Sequence, residues 1–277
     1  MSLKSSPQAS SWSAIKRIIS AAVFAGLIAG LCLTILQLWQ VSPLIRQAEV
    51  VENAKATLEQ REHRQANEQV EEHEHAHADA TALAPTPSEH QAAHQHGSAP
   101  HDSLATDQQA TAQWQPADGT ERLLYTMLAN VSLAVGFGLL LAAAIFLRGG
   151  KPGWLAGLGW GVAAYIVFFV APSIGLPPVP PGAEAAPLAA RQLWWISTAA
   201  ASAVGLALLC FARLPWKVLG VVALLLPFIA GAPQAPTADG GIPIALAHAF
   251  VMATALANGI FWLVLGALTA QCMKRNP

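Results

Sequence analysis

Eight of the nine histidines fall between His63 and His101, interleaved with carboxylates. The densest part reads Glu71-Glu72-His73-Glu74-His75-Ala76-His77-Ala78-Asp79, and His90, His94, His96 and His101 form a second cluster. Neutral imidazoles and carboxylates bind borderline divalent metals such as Co²⁺, Ni²⁺ and Zn²⁺. On an extended chain His73, His75 and His77 line one side, about 7 Å apart at each step. On a helix only His73 and His77 share a face, and His90 with His94 repeats that spacing. Glu72 and Glu74 are placed to add oxygen ligands. His73-Glu74-His75-Ala76-His77 fits the letters H-E-x-x-H, but a low-complexity stretch of this composition is not expected to hold the fixed geometry of a zinc-protease helix. The chemistry expected is flexible metal capture; an Ala/His-rich linker without metal function is the bland alternative.

The ninth histidine, His248, stands in the last long apolar run, where an ionisable side chain is costly and by default marks a functional site. Met252 follows one turn later with a soft thioether, so the pair is the candidate metal site inside the membrane. A histidine bonded to a neighbouring helix, or lying at the outer interface, is the competing reading. Asn130, Gln37 and Gln192 are expected to act as polar contacts between helices. No acid lies deep in an apolar run, and no phosphate-binding loop or nucleophile elbow appears. Neither an enzyme nor a nucleic-acid binder is indicated.

The elements that must position these groups are membrane helices. The chain has 277 residues, 54% of them hydrophobic and 11% charged, against about 25% charged in soluble domains. Six runs hold no charge at all: Ile18–Ile45, Leu123–Leu147, Pro152–Ala183, Gln192–Ala212, Val218–Ala238 and Gly240–Met273. Each reaches the roughly 20 residues a helix needs to cross hydrocarbon, and none alternates like a barrel strand. The fold class is therefore all-α: a polytopic helical membrane protein of about six transmembrane helices with a long His-rich extracytoplasmic loop. The fifth run, with Pro227 inside it, is the weakest. The first is too long for a signal peptide and reads as an anchor.

Orientation follows from the bases. With the N-terminus inside, the short cytoplasmic segments hold Lys4, Lys16, Arg17, Arg148, Lys151, Arg213, Lys217, Lys274 and Arg275 and no acid. The opposite short loops hold only Arg191, with Glu184 and Asp239, and the segment 46–122 carries five bases against fourteen acids. Both termini are then cytoplasmic and the histidines outside. The expected layout is a cytoplasmic tail (1–15), a first transmembrane helix (16–45), an acidic His-rich loop (46–117) and a bundle of about five helices (118–277).

Local signals refine this layout. Pro43 predicts a break or kink in the first helix. Arg46 to about Glu72 predicts a solvated helix, and His73 to Gln113 predicts no fixed structure without ligand. Asp118 with Glu121 resembles a capping box. Pro172 to Gly182 predicts a stiff loop, and Trp194 with Trp195 an interfacial belt. Gly26/Gly30 and Gly157/Gly161 predict close helix packing. Cys32, Cys210 and Cys272 stand singly, so neither a disulfide framework nor a thiolate zinc site is expected.

Several segments together carry a family resemblance: GLIAGL at 26–31, LWQVSPLIRQAE at 38–49, the His/Glu stretch, DGTERLLYTMLAN at 118–130, GFGLLL at 136–141, GLPPVPPG at 175–182 and LAARQLWW at 188–195. Their order and spacing resemble the CbtA-type cobalt transporter subunits of bacteria over nearly the whole chain after residue 15. The resemblance implies a multi-pass protein of the bacterial cytoplasmic membrane with five spans. It also implies Co²⁺ as the transported ligand, supplied for cobalamin biosynthesis, and a small single-span His-bearing CbtB-type partner. Self-association into a homo-oligomer stays open. The ligand set fits nickel or zinc uptake equally, and a membrane metal sensor or chaperone that does not transport is the other alternative.

Overall fold

Where no water competes, a chain must satisfy its own backbone, and continuous Ala/Leu/Val/Gly runs do so as helices. The computed structural model describes residues 7–80, 116–117, 119–150, 152–235 and 242–275, the side chains at 7–11, 66–80 and 275 excepted. Every regular element among the described residues is helical. Helix α1 (Pro7–Leu36) runs through a π turn (Gln37–Val41) into α2 (Ser42–Ala80) as one unbroken rod. Next come α3 (Thr120–Arg148), then α4 (Trp154–Tyr165), a second π turn (Ile166–Val170) and α5 (Ala171–Gly175) in continuous sequence. Helices α6 (Leu188–Phe211), α7 (Leu214–Ala230) and α8 (Ile244–Arg275) complete the chain.

The break expected at Pro43 does not occur. A proline inside a helix lacks the N–H and presses its ring on the carbonyl four residues back. The turn ahead of it widens instead, and the Ser42 N–H reaches Gln37 O rather than Leu38 O. The same solution recurs at Pro172, where the Ala171 N–H bonds to Ile166 O. The irregular segment expected from Pro172 therefore begins only after Gly175. Phe168 O, the carbonyl an α-helical residue 172 would serve, accepts the indole Nε1–H of Trp195 at 3.2 Å, and Trp194 Nε1–H donates to Pro172 O at 3.1 Å. The two tryptophans thus tie α6 to the second π turn and α5. Trp194, only 6% exposed, is a buried strut rather than part of an interfacial belt.

Five helical stretches among the described residues are long and apolar enough to cross a membrane: Trp12–Gln65, Thr120–Arg148, Trp154–Gly175, Leu188–Phe211 and Ile244–Lys274. The fifth charge-free run forms the shorter α7, 17 residues or about 26 Å at 1.5 Å per residue. Helices α1, α3, α4 and α8 surround one core that includes Ala25, Ala29, Leu33, Leu141, Phe261, Trp262 and Leu265. Glycine sets the approach of its pairs, as their spacing predicts. A Cβ on Gly26 would stand 2.7 Å from Val135 Cα, and one on Gly30 equally close to Val131 Cα. Gly157 and Gly161 face the backbones of Gly266 and Trp262 in the same way. Helices α6 and α7 form a hairpin that joins this group through the second π turn and α5.

The bundle has a basic end and an acidic end. Arg17 lies over the Phe146 ring and Arg148 over Phe211, while Met273 packs with Ile18, Ala21 and Ala142. Arg213, Lys217 and Lys274 follow at that end in sequence. At the other end Arg122 pairs with Glu49 at 3.0 Å, and Gly182 lies against Glu52. The start of α3 departs from the expected capping box: Gly119, at φ 100°, is the N-cap residue. Only the reach-back half is present, with the Ala117 N–H donating to Glu121 Oε2 at 3.2 Å; Asp118 lies outside the described residues.

Candidate functional site

The metal-ligand candidates divide between an outer helix and the bundle. Helix α2 continues past the point where irregular chain is expected at His73 and ends at Ala80. Its nucleus is already formed by the upstream turns, so adding Ala76, Ala78 and Ala80 fixes few dihedrals per bond gained. Between the two backbone geometries open to the cluster, the helix is the one observed. It sets positions 73 and 77 one turn apart with 75 off that register, and Glu72 and Glu74 lie in the same turns. The side chains of these five residues, and all of His90, His94, His96 and His101, lie outside the described residues. His63 is on α2 and exposed.

Beyond Glu52, α2 touches little: residues 53–65 are all exposed, Leu58 included. Lys55 and Glu59 make an i,i+4 pair at 4.0 Å. The solvated helix expected over Arg46 to Glu72 is thus present, and it holds the histidine positions at a distance. From Glu49, at the bundle's edge, to His75 is about 40 Å at 1.5 Å per residue.

On α8, His248 occupies the second turn and Met252 the third, on one face. Both are exposed, Met252 by 70%. The structure therefore puts this pair near the acidic end of α8 on the outside of the chain, and no described contact joins it to another ligand type. Among the described residues no group of three or more His, Cys, Asp or Glu comes together.

What the helices do bring together is a polar seam at the first π turn. Asn130 Nδ2 donates to Gln37 Oε1 at 2.6 Å and to Thr34 Oγ1 at 3.1 Å, and Thr34 Oγ1 donates to Gly30 O at 2.9 Å. Both amide protons and the hydroxyl proton are thereby used, and the interhelical role expected of Asn130 and Gln37 is the one they play. Gln192 is exposed instead. Among the described residues, five side-chain oxygens are buried without a partner: the hydroxyls of Thr198, Ser202 and Thr269, and, nearer this seam, Oε1 of Gln40 and, on α8, Oγ1 of Thr254. Gln40 lies in the first π turn, which packs against α8. Ile18 and Ala21 pack with Met273, and counting back along these antiparallel helices places Gln40 at the level of Thr254. Asn258 Nδ2 donates to Thr254 O at 3.0 Å and the Tyr165 hydroxyl to Ala255 O at 3.0 Å. Thr34 and Gln40 carry no charge and went unnoticed singly, although Thr34, Gln37 and Gln40 recur every third residue in a charge-free span.

A family model described as "Probable cobalt transporter subunit (CbtA)" matches residues 15–274. The chain belongs to the CbtA family. Neither a curated protein nor a solved structure matches it. CbtA membership makes this helical bundle a membrane subunit of a cobalt transport system, and "subunit" implies at least one partner.

Proposed function

We propose that this CbtA protein imports Co²⁺ across the bacterial cytoplasmic membrane, with its basic end and both termini in the cytoplasm. The observation that carries the reading is the division of charge between the ends of the bundle. One end presents Arg17, Arg148, Arg213, Lys217 and Lys274 with no acid, and the acidic rod bearing the histidines leaves from the other. Bases are retained on the cytoplasmic side. On that orientation the His/Glu segment, His73 to His101 with Glu72 and Glu74, raises the local Co²⁺ concentration outside.

Passage then follows α8. His248 and Met252 present an imidazole and a thioether on its free face near the outer surface, and a small single-span CbtB-type subunit supplies the remaining ligands there. Further in, the partnerless oxygens of Gln40 and Thr254 offer the ion polar contacts along the first π turn. Uptake of radiolabelled Co²⁺ by cells expressing the full chain with its partner tests this. The expected result is slower uptake for His248→Ala and for Gln40→Leu/Thr254→Val, and a raised half-saturation concentration when residues 63–101 are deleted. Unchanged uptake in the first two variants sinks the route, and no uptake by the intact pair sinks the import reading.

A further inference from the structure

The hairpin of α6 and α7 is fastened to the rest of the bundle on one side only. Near the acidic end the two indole bonds hold α6 to the second π turn and α5. Toward the basic end α6 stands off from α3 and α4, and the gap is a cleft of about 580 Å³. Phe137 of α3, Gly159 and Trp160 of α4 and Ala207 of α6 are among its walls, and Arg148 stands at the basic end. Its guanidinium lies 5.0 Å from the Phe211 ring, which bridges the mouth from α3 to α6.

Three properties of the cleft select its occupant. Its lining gives a divalent cation one arginine and one thiol, Cys210, and no carboxylate or imidazole, so it is not a branch of the cobalt route. An acyl chain fits: taking a methylene as about the 30 Å³ a water occupies, the cleft holds roughly 19 carbons. The charge at its mouth also needs an outside partner. All sixteen acidic side chains of the chain lie in 46–122 or at Glu184 and Asp239, so the basic end has no Asp or Glu of its own.

We propose that this cleft is a site for one anionic glycerophospholipid, with an acyl chain between α3, α4 and α6 and the headgroup phosphate on Arg148. Basic pockets between helices at the cytoplasmic side recognise anionic headgroups in this way. The site itself depends only on the cleft and Arg148; its assignment to the cytoplasmic leaflet rests on the orientation proposed above. A lipid there wedges the hairpin at the spacing seen, because no described residue fills the space between α6 and the core helices.

Native mass spectrometry of the delipidated full-length protein in detergent tests the proposal, with phosphatidylglycerol and phosphatidylcholine of identical oleoyl chains as probes. The wild type is expected to retain one phosphatidylglycerol about fivefold better than phosphatidylcholine, the ratio for the ~1 kcal/mol that one base near an anionic surface contributes. Arg148→Gln should bring the two lipids to parity. Gly159→Phe should lower retention of both, since a side chain at Gly159 meets open space and extends into the cleft. Ala207→Leu on the facing, exposed wall repeats that test on another helix, and thermal unfolding confirms that the variants compared are folded. A preference unchanged in Arg148→Gln, both lipids retained by the filled variants, or displacement of lipid by inorganic phosphate would each overturn the proposal. Since none of these readouts involves cobalt, the lipid site and the import reading fail separately.

Discussion

Asn130 shows how much one polar side chain settles inside an apolar bundle. Its two amide protons serve Gln37 and Thr34, and replacing it by leucine leaves two oxygens of α1 and its π turn without that donor. Hydrogen bonds between membrane helices are worth about 0.6 kcal/mol on average and about 1.7 at most. Asn130→Leu should therefore lower unfolding stability in bicelles by about 0.5–2 kcal/mol, read by steric trapping or a denaturant titration. No loss would mean that Gln37 and Thr34 find other donors. Glycines give a contrast of the same size. A Cβ on Gly161 would meet the Trp262 carbonyl, whereas one on Gly136 meets nothing within 4 Å. Overpacking costs typically 1–3 kcal/mol, so Gly161→Ala should lower the melting temperature while Gly136→Ala leaves it unchanged or slightly raised. Equal effects would show that the α4–α8 contact yields without cost.

The two π turns are the devices that let helices carry proline at an unchanged heading, and each ends two residues before its proline. A π turn spends about one residue more than an α turn on the same rotation, so deleting Gln40 should leave α2 near its present rotation, whereas inserting one alanine between Ile45 and Arg46 should rotate everything that follows by about 100°. The Glu49–Arg122 pair at 3.0 Å reports that rotation. A Glu49→Cys/Arg122→Cys protein should cross-link readily with a short bifunctional reagent, as should the same pair after deletion of Gln40, and the pair after the alanine insertion should not; loss of cross-linking on deletion of Gln40 would mean that the π turn does not absorb the extra residue. Such turns are hard to read in advance because the local rule for proline predicts a break. The alternative depends on what the widened turn packs against: α8 for the first, and α6 with its indole donors for the second. The spans were legible because absence of charge over a membrane's thickness is a one-dimensional signal. The destinations of Trp194 and Trp195 were not, since a buried strut and an interfacial belt draw on the same residue type at the same place.

At the scale of the molecule, histidine content announced metal chemistry, but the distance between capture and passage had to come from the fold. Sequence composition leaves the His-rich stretch free to fold back on the bundle; the observed helix keeps its first cluster about 40 Å beyond Glu49. On the import reading proposed above, capture and translocation are separate steps, and pH separates them experimentally. Imidazole binds metal only when neutral, and its ordinary pKa is about 6.5. Capture should therefore be complete above that value and lost as pH falls through it. In an uptake assay this appears as a rising half-saturation concentration for Co²⁺ between about pH 7.5 and 5.5, at nearly constant maximal rate, because a saturating outside concentration needs no antenna. A chain lacking residues 63–101 starts from the raised value and should show little further change over the same range. If its pH dependence matches that of the intact chain, the pH-sensitive step lies outside that segment. If the maximal rate of the intact chain falls with pH while the deletion is flat, the histidine segment takes part in the passage itself, and the rod must bring its metal to the bundle by a motion this structure does not require.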